Sequence, residues 1–302
     1  MRRALLLVVS VVAALVLPFF ASGSAVAASA STGQAAAVAA QTVTVKYGPY
    51  TIPGAAFGRP GDLPAFGSAA KPCDSCDIVG EKPDLVYADG TSANMDTGPM
   101  LHHFVIGNNS ARDLVCPADP DRLWASGNER TDKELPDGYG VPVRTTDRWG
   151  IITELMNYDP APKTVYVSID YRIAPAGSTT PVRSLWMDAG GCLTSDYAVP
   201  AGPSVHSWGW TSTVSGKLVF ANGHQHDGGV HVALTDNDAT VCDSVAEYTE
   251  MGGMNTIMSM GVCTGDPLAI VHAGDRLAVN SYYDSPTAQR DVMGIVHAYL
   301  AL

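Results

Sequence analysis

The sequence predicts an all-β fold, and three observations predict it. First, β-branched and aromatic runs recur along the chain: "QTVTVKYGPYTI", "MLHHFVIG", "GIITELMNY", "KTVYVSIDYRI", "GKLVFANGHQH", "GVHVALT" and "DRLAVNSYY", each punctuated by Gly, Pro, Asn or Asp. Second, no window carries a sustained helical period with caps. Third, the 30 Gly and 20 Pro supply the turns that many short strands need. β-Sandwiches are the expected architecture.

From the N-terminus, Arg2 and Arg3 precede an apolar run from Ala4 to Phe20, and Ala25-Val26-Ala27 closes it. This is the pattern of a secretory signal, residues 1–27, cleaved near Ala27. The alternative is an uncleaved anchor, since the run is almost long enough to span a bilayer; Pro18 and the small-residue site favour cleavage. Residues 28–41, mostly Ala, Ser, Gly and Gln, read as a disordered lead-in. The about 260 residues that follow exceed one ordinary sandwich, so two are expected. "APAGSTTP", residues 174–181, is the candidate linker, giving an N-terminal sandwich over 42–176 and a C-terminal one over 177–302. "FGRPGDLPAFG" and "WASGNERTDKELPDGYG" read as irregular loops, with Glu129 and Arg130 as a surface pair.

The chain has 18 basic and 30 acidic residues, and signal cleavage removes Arg2 and Arg3, leaving −14. That charge repels nucleic acid and anionic membrane, so neither is an expected partner after cleavage. Charged residues are only 16% of the chain, which fits a packed globule, expected to be a monomer. Six cysteines remain: Cys73, Cys76, Cys116, Cys192, Cys242 and Cys263. An even count in an exported, extracellular chain predicts three disulfides, with Cys242–Cys263 the best local pairing. Cys73-Asp-Ser-Cys76 also fits a redox or zinc pair, but export and the lack of a second CxxC favour disulfides.

Three of the eight histidines fall in "FANGHQHDGGVHV", residues 220–232. Strand side chains alternate between faces, so His224 and His226 share one, with Cβ atoms ~6.5–7 Å apart. Two imidazoles so placed can converge on one metal with bonds of ~2 Å. The structural alternative is a pair of surface histidines with no role. Asp227-Gly228-Gly229 is expected to turn the chain into a hairpin with "VHVALT", leaving His231 as an ordinary strand residue. His102 and His103 are adjacent, so in a regular strand they diverge; joint ligation needs a bulge or twist. Met293, in "QRDVMGIVHAYLAL", is a soft thioether suited to Cu(I), although a methionine on a strand is commonly core.

Taken in order, "MDT…HH", "LPDGYG", an aliphatic strand ending in "NY", His-x-His and "DVM" resemble the copper type II, ascorbate-dependent monooxygenases, such as peptidylglycine α-hydroxylating and dopamine β-monooxygenases. The resemblance covers roughly residues 75–302. The chain is also similar to secreted actinobacterial proteins and to a plant stress- and nodulation-related family carrying "GH-x-H-x-GG". The resemblance implies two consecutive jelly-roll-like sandwiches. It implies one copper at His102 and His103 with a third histidine, and another at His224, His226 and Met293. The third histidine belongs in "GIITELMNYDP", where this chain offers Asn157, a poor copper ligand beside imidazole. The first site is therefore expected to be weak, altered or empty, unless His206 or His272 substitutes: one copper, or two.

If active, the chain is expected to hydroxylate a C–H bond of a small molecule or peptide with O2, using ascorbate or another reductant. The competing classes are a non-catalytic copper-binding protein and a cell-surface interaction or structural sandwich. Bound copper separates the last from the others, and reductant-dependent O2 consumption separates enzyme from binder.

Overall fold

The computed structural model describes residues 40–302; residues 1–39, where a signal and most of a lead-in are expected, lie outside the described residues, and Gln41, expected to close the lead-in, already opens the first strand. Twenty strands follow: β1 (Gln41–Ile52), β2 (Gly61–Ala69), β3 (Cys76–Val86), β4 (Pro99–Arg112), β5 (Pro120–Gly127), β6 (Lys133–Glu134), β7 (Tyr139–Val143), β8 (Trp149–Asn157), β9 (Lys163–Pro175), β10 (Thr180–Asp188), β11 (Tyr197–Val199), β12 (Gly202–Thr211), β13 (Gly216–Gln225), β14 (Gly229–Asp236), β15 (Ala239–Met251), β16 (Met254–Met260), β17 (Val262–Val271), β18 (Arg276–Ser285), β19 (Gln289–Val292) and β20 (Gly294–Ala301). The fold is all-β, as the strand runs predict, with no helix among the described residues.

A nine-stranded sheet runs β1-β9-β3-β7-β10-β20-β13-β17, with β6 paired to β3. Its two halves are joined through a two-residue parallel contact of β7 with β10, at Tyr139–Thr180 and Gly140–Pro181. A four-stranded sheet, β2-β8-β4-β5, and a five-stranded sheet, β12-β18-β14-β15-β16, complete the main layers. One core gathers Leu101, Phe104, Ile106, Trp124, Ile151, Leu155 and Val167; the other gathers Leu185, Met187, Leu234, Ile257, Val279 and Val296. Full burial of such side chains contributes about 1.5–3 kcal/mol each. β13 serves both, sending Val219 and Phe220 to the first core and Leu218 and Ala221 to the second across a register shift between Leu218 and Phe220.

Three disulfides form: Cys73–Cys76, Cys116–Cys192 and Cys242–Cys263. The last is the pairing expected locally, and none of the six cysteines is free. Cys116–Cys192 closes a separation of 76 residues and so ties a loop beside the four-stranded sheet to the chain beyond β10.

The structure corrects three local expectations. "FGRPGDLPAFG" is not irregular throughout: Gly61–Ala69 forms β2, an edge strand, where Pro64 can lack an N–H without breaking a central ladder. "WASGNERTDKELPDGYG" contains the end of β5, β6 and the start of β7. The chain after His226 does not return as a hairpin. β13 pairs with β17 and β20, whereas β14 pairs with β15 and β18 in the other sheet. Gly228, at φ 94°, makes the turn, and the chain crosses between layers there. His226 is thus left at a corner of the sandwich.

Candidate metal centre

β4 alternates regularly as far as Leu101, whose side chain enters the first core. Between Leu101 and His103 its register against β8 then slips, Leu101 facing Leu155 and His103 facing Glu154. This is the bulge that adjacent histidines need to act together. Both imidazoles leave the core side, their ring centroids 5.0 Å apart, and Phe104 turns back into the core.

The end of β13 delivers the other pair. His224 and His226 share a face, as alternation requires, with ring centroids 5.4 Å apart. His226 also lies 4.6 Å from His102, centroid to centroid. The two pairs expected as separate sites therefore touch. One nitrogen from each of His102, His103 and His226 lies within 4.8 Å of the others.

Second partners orient the rings. The Nδ1–H of His226 donates to the carbonyl of Asp291 at 2.9 Å. His224 Nδ1 lies 3.1 Å from Glu129 Oε1. Each bond leaves Nε2 as the nitrogen with a free lone pair, and both Nε2 atoms are buried without a hydrogen-bond partner. His102 Nδ1 and His103 Nδ1 are buried and unpartnered as well. The Glu154 carboxylate stands 3.5 Å from His102 Nδ1 and 3.6 Å from His103 Nε2, too far for full hydrogen bonds. Four imidazoles with unpaired buried nitrogens are costly unless something electrophilic completes them. The donor set fits a borderline transition metal such as copper or zinc.

Burial disfavours the charged form of two of the rings. Burial, then the neighbouring His102 and His224, push His103 down to about 4. Burial, then His224 and His102, push His226 well below the usual range. Neutral rings are the ligating form. For Glu129, burial raises the carboxyl, but His224 and the Gly127 N–H outweigh it and hold it below its ordinary value.

Glu129 was not recognisable from sequence. It is buried rather than a surface group, and Arg130 pairs with Asp84 instead. No local pattern pairs a carboxylate with a histidine 95 residues away. Gly127 makes the approach feasible: a Cβ there would stand 2.6 Å from His224 Cε1 and 2.6 Å from Glu129 Oε2.

Met293 lies between β19 and β20, tied to the cluster through its backbone. The His226 N–H donates to the Tyr283 hydroxyl at 3.0 Å, and that hydroxyl donates to the Met293 carbonyl at 2.5 Å. Met293 lines a mainly apolar cavity with His103, His224, Phe104, Trp186 and Ile295. On the other side, a more polar cavity is lined by His102, His224 and His226 with Met100, Met156 and Tyr158.

Asn157 does not face this cluster. It is fully buried on the Leu155 face of β8, donating to the carbonyls of Pro53 (3.1 Å) and Ala161 (2.9 Å) and accepting from the Asp159 N–H (3.1 Å). Strand alternation instead presents Glu154 and Met156 to the histidines. Nor do the proposed substitutes join: His206 stacks on Tyr197 at 4.2 Å, and His272 is an exposed neighbour of Asp275. His231 stacks on Tyr282 and pairs with Asp243.

The fold and site together define an all-β sandwich protein with a half-buried four-histidine candidate metal centre. A family model described as Stress up-regulated Nod 19 matches residues 188–302, which include the His224–His226 strand. "Probable copper-dependent oxygenase M1" from Phoma sp. is 27% identical over 286 residues, 85% of this chain and 71% of that protein. "Probable copper-dependent oxygenase clz3" from Cochliobolus lunatus is 27% identical over 244 residues, 72% of this chain and 77% of that protein. Among solved structures, the major capsid protein P2 of bacteriophage PM2 aligns with a TM-score of 0.36 at 8% identity, over 86% of this chain and 97% of that one.

Proposed function

We propose that the chain is a secreted copper-dependent oxygenase that hydroxylates a C–H bond of a small, largely apolar molecule. The observation that carries this reading is the convergence of His102, His103 and His226, with His224 beside them, each leaving a buried ring nitrogen unpaired. Similarity to two proteins named as probable copper-dependent oxygenases supports the metal and the reaction class. Three disulfides support export to an oxidising compartment.

Bound copper would supply the redox chemistry that turns O2 against a C–H bond, with ascorbate or a similar reductant restoring the reduced metal. The protein's own contributions are geometric. Glu129 and the Asp291 carbonyl fix the tautomers and orientation of His224 and His226. Tyr283 fastens Met293 to the same strand end. Phe104, Trp186 and Ile295 give the cavity beside His103 and His224 an apolar wall.

Metal analysis with EPR on protein recovered from its export compartment tests this reading. We expect near-stoichiometric copper with a nitrogen-rich Cu(II) signal, lost in His224→Ala/His226→Ala. Unchanged copper content in that double variant would refute the assignment. Ascorbate-dependent O2 uptake on adding an apolar substrate, absent from the same variant, separates an oxygenase from a protein that only binds copper.

A further inference from the structure

We propose that Met100 and Met156 form a soft thioether site for reduced copper beside the histidine cluster, independent of Met293. The proposal rests on the copper reading above and adds a binding site to it. The two residues are direct register partners across β4 and β8. Directly opposed side chains on an antiparallel pair leave the same face with Cβ atoms about 4.5–5.5 Å apart. His102 follows Met100 two positions along that strand, about 6.5–7 Å on.

Both methionines are partly buried, and neither belongs to either hydrophobic core. They line the cavity that also holds His102, His224 and His226. Their sulfurs converge on one group: the Tyr158 hydroxyl lies 3.7 Å from Met100 Sδ and 4.0 Å from Met156 Sδ. The cavity they line measures about 240 Å³.

The chemistry selects the ion. A thioether is neutral and polarisable, so it prefers Cu(I) to Cu(II) or Zn(II), which favour imidazole. Two thioethers make a neutral, soft donor pair for Cu(I), in a cavity that His102 also lines. A pair of apolar gap-filling methionines would more naturally point into a core, and these point away from it.

The test uses full-length mature protein carrying carbon-13 methyl methionine, with Ag(I) as the redox-inert probe for Cu(I). We expect the Met100 and Met156 methyl signals to shift together as Ag(I) is added. Met100→Leu/Met156→Leu is nearly volume-conserving. In that variant Cu(I) affinity, read by competition with bicinchoninate, should fall about tenfold or more, as loss of metal-site partners does. Its Cu(II) EPR spectrum should stay the same. Methyl signals of Met100 and Met156 that stay fixed at saturating Ag(I) overturn the proposal. If the histidine EPR signal persists in that case, the thioether site alone falls. If it is absent as well, the copper reading falls with it.

Discussion

The Glu129 carboxylate meets the His224 imidazole, Oε1 to Nδ1 at 3.1 Å, across 95 residues of sequence. Both groups are largely withdrawn from water, with side chains 3% and 14% exposed. A carboxylate behind a ligating imidazole fixes the tautomer and raises ligand basicity. Glu129→Gln keeps the shape and removes the charge. Copper affinity should fall about 10–100-fold, measured by chelator competition, while the fold is retained. Unaltered affinity would show that His224 does not ligate.

Gly127 is the contact point of the same pair. In Gly127→Ala the added methyl would meet the His224 ring and Glu129 at 2.6 Å, and the His102 carbonyl at 2.7 Å. Overpacking of this kind costs about 1–3 kcal/mol. We expect a lower Tm together with reduced copper content. Full copper loading at wild-type Tm would mean the site relaxes freely.

Asn157→His puts an imidazole where the monooxygenase resemblance places a ligand. Because Asn157 spends its amide on Pro53, Ala161 and Asp159, the new ring cannot reach the cluster without breaking those bonds. Copper stoichiometry should not rise, and stability should fall by about 1–3 kcal/mol for each buried partner left unpaired. A gain of one copper, by elemental analysis of folded protein, would return Asn157 to the site.

His297 sets an acid limit on stability. Burial, then the charges of Lys133 and Arg122, hold its pKa well below the usual imidazole range, and its Nε2 lies 3.0 Å from Ser184 Oγ. The unfolded chain takes up this proton near ~6.5 and the folded one does not. The contribution is therefore complete above about pH 6.5 and lost as pH falls below it, at up to about 1.4 kcal/mol per unit. His297→Gln removes the titration and keeps a partner for Ser184. Urea unfolding from about pH 7.5 to about pH 5 should show a shallower acid limb in the variant; parallel curves would assign the acid sensitivity to other groups.

The strands were legible in the sequence because alternation is a covalent property of extended chain: β-branched runs with Gly and Pro boundaries need no distant partner to declare themselves. The same geometry placed His224 and His226 on one face. An even cysteine count made three disulfides readable. Sheet order and register were not written locally. Only the folded chain brought the bulge at His102 and His103 against the end of β13, merging two expected sites into one cluster. It also brought Glu129 behind His224, turned Asn157 inward, and set Met100 opposite Met156. These are contacts between strands far apart in sequence, and a slip of one residue in any of them sends every side chain to the opposite face.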